Sequence, residues 1–325
     1  MVINMAKVSV IVPVYNAEQF IAKTIENLLS QTLEDMEIIL VNDGSTDKSG
    51  EICDSYAKSH NKITVIHQEN SGVCKARNAG ISASTGDFIG FCDADDVPDN
   101  DLYEYLYNLA TQNNCDISII DTYILSEDGK KEFRSDNFSF SSRNREDFIC
   151  KFLDGRFGDA IYTNLYKGDI CRTVKFEEGR KINEDKMFFF EFLMKAESVS
   201  YKSVGKYGYY RHMGSASLSA FSEKFFDYIY FMEKISAVCR KEYPQLEDYI
   251  KKNELITYLT LLTLMCTLNA RKSYAEQFKK IAKKGRSYKI SFCKKYLPKK
   301  TFIKWLCLKM GNSVFALSVK AFASL

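Results

Sequence analysis

The sequence predicts an α/β fold with a mostly parallel central sheet, followed by a C-terminal helical region. Over the first 120 residues, short apolar runs rich in branched residues alternate with longer segments of helical period, the pattern of strand–helix units. The polar clusters of that half fall just past the C-terminal ends of the apolar runs, which is the edge of an open α/β sheet where ligands bind. After about residue 220 the strand signal gives way to long helical stretches. A chain of 325 residues also exceeds what one hydrophobic core usually supports, so a body at 1–220 and an appended part at 221–325 are expected.

The elements follow in order. Val8 to Val14 reads as the first strand, and residues 17–31 as a helix because Phe20, Ile21, Thr24, Ile25, Leu28 and Leu29 recur at helical spacing. Residues 37–41 form a second strand that ends in Asn42-Asp43-Gly44-Ser45. Strands at 63–67 and 87–92 flank a helix at 72–84, and 116–120 is a fifth strand. From 121 to 179 no period is clear. A helix at 183–196 carries Met187, Phe188, Phe190, Leu193 and Met194; a loop at 207–219 and helices at 223–241 and 246–269 come next.

Composition excludes several classes. Hydrophobic residues at 46%, charged residues at 27% and only four prolines fit a globular chain and leave no disordered linker. The N-terminus lacks a secretory signal and no Cys-x-x-Cys pair occurs among the ten cysteines, so reduced, buried thiols in a cytosol are expected. The longest apolar stretch, 255–268, is too short to span a bilayer.

The densest polar constellation is Cys92-Asp93-Ala94-Asp95-Asp96, directly after an apolar strand. A divalent cation carried on a diphosphate takes one or two carboxylate oxygens from protein and fills its shell with phosphate and water, which suits an exposed Asp-x-Asp. The structural alternative is a capping turn, but Asp99 stands ready to cap the helix at 102–110, which leaves residues 93–96 for function. Val41-Asn42-Asp43-Gly44-Ser45-Thr46-Asp47 taken by itself is an ordinary turn with Asp47 as N-cap.

Residues 8–107 resemble glycosyltransferase family 2, a GT-A fold, through four motifs in register: Val10-Ile11-Val12-Pro13-Val14-Tyr15-Asn16, Val41 to Asp47, Ala76-Arg77-Asn78-Ala79-Gly80 and Asp93-Ala94-Asp95-Asp96. No G-x-G-x-x-G follows the first strand, which removes a dinucleotide-binding oxidoreductase. The resemblance implies a nucleotide-sugar half at 1–120 and an acceptor half at 121–220. It implies that Pro13, Tyr15, Asn16 and Asp43 form the nucleotide pocket, with Asp43 accepting from the base. A pyrimidine imide makes UDP the favoured carrier. It places Arg77 near the nucleotide, with a surface ion pair as its structural alternative, puts Asp93 against the ribose or a metal-bound water, and counts Ala94 among the nucleotide-sugar-binding residues. Asp95 would ligate Mg²⁺ or Mn²⁺.

Asn183-Glu184-Asp185 is similar to the family's Glu-Asp element at the acceptor-site helix, which makes Asp185 the candidate general base, with a shared role for Glu184 open. The structural alternative is that both acids complement a helix N-terminus. Tyr210-Arg211, followed by Ser215-Ala216-Ser217, is similar to the family's mobile loop, so Arg211 and Ser217 are expected to grip the diphosphate; His212 is assigned no chemistry. Tyr162-Thr163-Asn164-Leu165-Tyr166 departs from the family's Trp-x-Lys-Leu-Tyr, which leaves the acceptor open.

Residues 271–325 hold 15 Lys or Arg against Glu276 alone, a net +14 within an overall +3, so residues 1–270 carry −11. Lysines interleaved with aromatics, then an apolar stripe of Ile303, Leu306, Met310, Val314, Leu317 and Ala321 with Trp305 beside it, suggest a helix in an anionic membrane interface rather than nucleic-acid binding; a plain helical cap is the alternative. The expectation is an inverting, metal-dependent hexosyltransferase, peripheral on the inner face of a bacterial plasma membrane. It would use an NDP-sugar and a glycan or lipid-linked acceptor in surface polysaccharide synthesis. The alternative from another class is a noncatalytic nucleotide-sugar-binding scaffold.

Overall fold

The computed structural model describes residues 6–133, 138–158, 160–211 and 220–323. They fall into two compact units, Met1–Ile149 with Phe157–Ser215 and Cys150–Arg156 with Ala216–Leu325.

The first unit is built on a sheet of ten strands: β1 (Val8–Val14), β2 (Met36–Asp43), β3 (Ile63–Gln68), β4 (Phe88–Phe91), β5 (Val97–Pro98), β6 (Ile117–Ser126), β7 (Lys131–Phe133), β8 (Ser139–Ser142), β9 (Asn164–Lys167) and β10 (Val199–Arg211). Their order is β3-β2-β1-β4-β9-β6-β10-β5, with β7 against β6 and β8 against β10. Six strands of that path, β3, β2, β1, β4, β6 and β10, run one way, whereas β9 and β5 oppose them. The mostly parallel sheet expected from the sequence is therefore present. The chain moves from β1 outward through β2 to β3, then returns to lay β4 on the other side of β1. Reversal of strand order between β1 and β4 opens a crevice beyond their C-terminal ends, and Asp93 to Asp96 follow β4 there.

Seven helices lie between these strands along the sequence: α1 (Ile21–Leu29), α2 (Ser49–Ser59), α3 (Val73–Ala83), α4 (Leu102–Gln112), α5 (Arg145–Asp154), α6 (Gly168–Cys171) and α7 (Glu184–Leu193), of which α5 is divided, its residues from Cys150 on belonging to the second unit. Val8, Val10, Val12 and Val14 alternate onto one face of β1 and pack with Ile21, Ile25 and Leu28 of α1 and Leu102 and Leu106 of α4. On another face, Ile39 and Val41 of β2 pack with Ala76 of α3. A strand covered on both faces reads as a continuous apolar run, which is why β1 was legible. Gly80 of α3 lies so close to Ile11 that any Cβ there would run into the Ile11 side chain, so this glycine lets the helix seat against the sheet.

Three boundaries differ from the sequence reading. α1 starts at Ile21 rather than 17, because the first N–H groups of that segment are engaged elsewhere: Ala17 donates to Ser49 Oγ at 2.8 Å and Glu18 to Asp47 Oδ2 at 3.0 Å. β6 continues to Ser126. Residues 207–211, expected to be a loop, are the end of β10, where Tyr207 to Arg211 pair with Thr122 to Ser126 of β6. Tyrosines suit a half-buried pleat, and that pairing overrides the loop signal.

The second unit comprises the helices α8 (Asp227–Glu242), α9 (Glu247–Thr267), α10 (Ala275–Arg286), α11 (Ile290–Tyr296), α12 (Lys299–Met310) and α13 (Asn312–Ala323). Leu255, Leu262 and Met265 of α9 share a core with Phe278, Trp305, Leu308 and Phe315. Two tail expectations are corrected here. The single helix at 301–322 is broken at Gly311, whose φ of +147° an L side chain rarely adopts. Trp305 is fully buried and donates from Nε1 to the Gly285 carbonyl at 2.9 Å, so it is a core residue rather than an interfacial one. Among the described residues no helix is long and apolar enough to cross a membrane. None of the ten cysteines is in a disulfide, and eight of them are buried, as small hydrophobes would be.

Candidate active site

At the C-terminal edge of β1 and β2 two turns are tied to each other. Asn16, in the left-handed region with φ of +48°, donates its N–H to Ser45 Oγ at 3.1 Å and accepts from Thr46 N–H at 2.8 Å. Asp47 accepts from Ser49 N–H at 2.9 Å as well as from Glu18 N–H, so it ties the start of α2 to the first turn, but the N-cap position itself is Lys48 rather than the expected Asp47. Between these turns Tyr15 is half exposed beside Pro13. Asp43 is buried and accepts three bonds, from Gln68 Nε2 (2.7 Å), Ser71 N–H (2.9 Å) and Gly72 N–H (2.8 Å). Its carboxylate therefore shapes the loop that leads into α3, on the same edge as Tyr15.

After β4, residues 93–96 make a tight turn closed by the Asp96 N–H to Asp93 carbonyl bond at 3.2 Å. The four residues diverge in role. Ala94 is buried and its carbonyl accepts from Thr24 Oγ1 of α1 at 2.8 Å. Asp96 is buried and accepts from Tyr207 Oη at 2.8 Å and from Tyr210 N–H at 2.8 Å, so it fastens β10 to this turn. Burial and the charges of Asp93 and Asp95 push its carboxyl well above the usual range, against the pull of those two hydrogen bonds. Asp93 and Asp95 remain partly exposed. Asp99 does not cap α4 with its side chain as expected: its Oδ1 accepts from Tyr123 Oη (2.7 Å) and Lys131 (3.2 Å), while its carbonyl accepts from Leu102 N–H.

The acceptor-half acids arrive at the same place. Asn183, with φ of +66°, turns the chain into α7, and Glu184 and Asp185 occupy its first turn. Arg77 of α3 lies between the two halves. Its Nη1 donates to Asp185 Oδ1 at 2.7 Å and Glu184 Oε1 at 3.2 Å, and its Nη2 donates to Asp93 Oδ1 at 3.2 Å. Arg77 is 4% exposed and stacks over Phe176 at 5.3 Å, so it faces inward rather than along the protein surface. The Asp185 side chain keeps 24% exposure. Burial, assisted by Glu184 and Asp93 and opposed by Arg77, pushes its carboxyl up to about 8. Beside these acids Tyr162 stacks on Tyr207 at 4.2 Å and lies parallel to Tyr209 at 6.3 Å.

With that geometry in hand, comparison with known proteins decides the family. A model described as Glycosyl transferase family 2 matches residues 9–170. The chain is 34% identical over 271 residues to the putative glycosyltransferase EpsH of Bacillus subtilis, covering 82% of this chain and 78% of EpsH. It is 30% identical over 236 residues to the minor teichoic acid biosynthesis protein GgaA of the same organism, covering 68% of this chain and 51% of GgaA. The chain belongs to glycosyltransferase family 2. Its fold is of the GT-A kind and matches the crystal structure of S. aureus TarS 1-349 in complex with UDP-GlcNAc, with a TM-score of 0.68 at 18% identity over 98% of this chain and 92% of that one.

Within this glycosyltransferase the structure brings Asp93, Asp95, Arg77, Glu184 and Asp185 to one crevice edge, with Tyr15, Asn16 and Asp43 on the neighbouring strand ends. Arg211 ends β10 and is exposed; Ser217 and His212 lie outside the described residues. Among the described residues no three His, Cys, Asp or Glu side chains converge as a protein-only metal cage. Two partly exposed carboxylates two residues apart, with Asp96 turned inward, fit a cation that takes the rest of its shell from phosphate and water. Sequence reasoning missed Tyr207 and the inward role of Asp96. The third acid of Asp-x-Asp-Asp looks like its neighbours until its burial is known.

Proposed function

We propose that this family 2 enzyme transfers a sugar from a nucleotide diphosphate donor, UDP favoured, to a hydroxyl of a glycan or lipid-linked acceptor in bacterial surface polymer synthesis, with inversion at the anomeric carbon. The observation that carries the reading is Asp185. It is a partly exposed carboxyl with a raised pKa, joined through Arg77 to the Asp93 end of the donor crevice. In this scheme the nucleotide sugar lies along Pro13, Tyr15, Asn16, Asp43 and Ala94, with Asp93 toward the ribose and Arg211 and Ser217 toward the diphosphate. Asp185 accepts the proton of the acceptor hydroxyl, the oxygen forms its bond to the anomeric carbon, and the diphosphate leaves from the opposite face with the bonding electron pair. A carboxyl raised toward neutrality is a stronger base than an ordinary one, which suits a hydroxyl nucleophile. Asp95 would hold Mg²⁺ or Mn²⁺, which supplies charge neutralisation at the departing diphosphate. The name of GgaA and the UDP-GlcNAc bound by TarS support the polymer class and the UDP donor.

The second unit supports a peripheral location for the enzyme. It carries the basic segment 271–325, with Ile290, Ile303, Met310 and Leu317 exposed among lysines, a combination that suits an anionic lipid surface on the inner face of the plasma membrane. The test of the activity is incubation with a panel of nucleotide sugars and Mn²⁺ or Mg²⁺, following release of nucleoside diphosphate. Turnover is expected with a UDP-sugar and to be lost in chelator and in Asp95→Ala. Full turnover in excess chelator would overturn the metal assignment, and no turnover with any donor and metal would overturn the activity.

A further inference from the structure

Among the groups at the crevice edge, Arg77 is the one whose surroundings fit its expected role least. It is 4% exposed. Its two terminal nitrogens donate to three carboxylates, and its Nε is buried with no hydrogen-bond partner among the described residues. Phe176 packs at 5.3 Å from the guanidinium carbon, and Phe176 itself stacks on Phe188 of α7 at 4.0 Å. A nucleotide therefore meets the carboxylates before it could meet the guanidinium. The three acids come from two separate parts of the chain: Asp93 follows β4, whereas Glu184 and Asp185 open α7.

We propose that Arg77 is a positioning residue that fixes the general base relative to the donor crevice, by holding Asp185 and Glu184 to Asp93 through its planar fork, and that it does not itself bind the nucleotide. The inference rests on Asp185 being the base. A guanidinium suits this task because its donors leave in fixed, coplanar directions and can serve acids on two sides at once. An ammonium at the same place keeps the charge but cannot hold two sides in register. Neutralisation alone would be satisfied by either cation; placement of Asp185 would not. Displacement of a reacting group by about 1 Å costs on the order of 10²-fold in rate, so loss of the fork should be read in turnover rather than in donor affinity.

The test compares the full-length wild type, Arg77→Lys, Arg77→Ala, Asp185→Asn and the double variant Arg77→Ala/Asp185→Asn, with kcat and donor KM measured for each. Arg77→Lys is expected to stay folded by thermal melting, to lower kcat by about tenfold and to leave donor KM within about twofold. Arg77→Ala, which removes the donor shared by Asp93, Glu184 and Asp185, is expected to lower kcat further. In the Asp185→Asn background the same change should cost less than about twofold more, because the group it positions is already disabled. A tenfold rise in donor KM for Arg77→Lys with kcat retained would make Arg77 a nucleotide ligand and overturn the inference. So would a full Arg77→Ala penalty that persists in the Asp185→Asn background. If Arg77→Ala does not fold, the Arg77→Lys change made in the Asp185→Asn background decides the same question. Asp185→Asn with wild-type turnover would instead remove the base assignment, and this inference with it, so the two failures are told apart by that variant alone.

Discussion

At the scale of single residues, the raised carboxyl of Asp185 has two consequences of opposite kind. As the base it must be ionised, so kcat/KM for the free enzyme should climb with pH through about 8 and level off above it. A pH–rate profile over 6 to 9.5 checks this, and a profile flat across that range would place the base elsewhere. For stability the sign is reversed from that of a salt-bridged carboxylate. In the folded chain Asp185 keeps its proton up to about 8, whereas the unfolded chain releases it near the ordinary value of 3.8. Between those limits the folded state binds more protons, so this group's contribution falls as pH rises. Asparagine at 185 removes the titration, and the melting temperature of Asp185→Asn relative to wild type should improve as pH climbs from 5 to 8. At the same scale, only the Asp-x-Asp cluster after an apolar strand stood out from the residues themselves; Asp43 read as part of an ordinary turn and Glu184-Asp185 as acids at a helix start until the family resemblance singled them out. What was not legible was orientation: Asp96 and Arg77 point inward, and only burial among Tyr207, Phe176 and their neighbours distinguishes them from the acids and bases that face the crevice.

At the scale of elements, β1, β2 and α3 could be placed from the sequence because both faces of the sheet are covered and their apolar residues leave no ambiguity of period. The two- to four-residue strands β5, β7, β8 and β9 are too short for alternation to be counted, and β10 runs through glycines and tyrosines whose pairing with β6 is set by tertiary contact. The fit of α3 against β1 makes a checkable claim. Gly80→Val puts a branched side chain into Ile11, and overpacking of this kind costs about 1–3 kcal/mol, enough to outweigh the roughly 0.5 kcal/mol that valine gains over glycine in a helix. Denaturant unfolding should show that loss, with partial recovery in Gly80→Val/Ile11→Ala. Equal stability of Gly80→Val and wild type would mean that α3 stands farther from the sheet.

At the scale of the whole molecule, charge and hydrophobicity in the second unit point outward while its core is already complete. Trp305, Leu308, Phe315 and Val319 are buried, so removal of the tail would unfold packing as well as remove surface, and truncation cannot test membrane docking cleanly. Serine at Ile303, Met310 and Leu317 leaves the core intact. The triple variant should keep its melting temperature within a few degrees, yet pellet less with anionic vesicles, and the residual binding should weaken with salt over the roughly 10 Å Debye length of 0.1 M buffer. Undiminished pelleting would make the helices a structural cap. The central claim, however, concerns chemistry, and its most direct test is turnover of Asp185→Asn set beside its donor affinity. Sugar transfer at saturating donor is expected to fall by about 10²- to 10⁴-fold while the dissociation constant for the nucleotide sugar stays within about twofold of wild type; turnover retained, or donor binding lost in its place, would contradict the account.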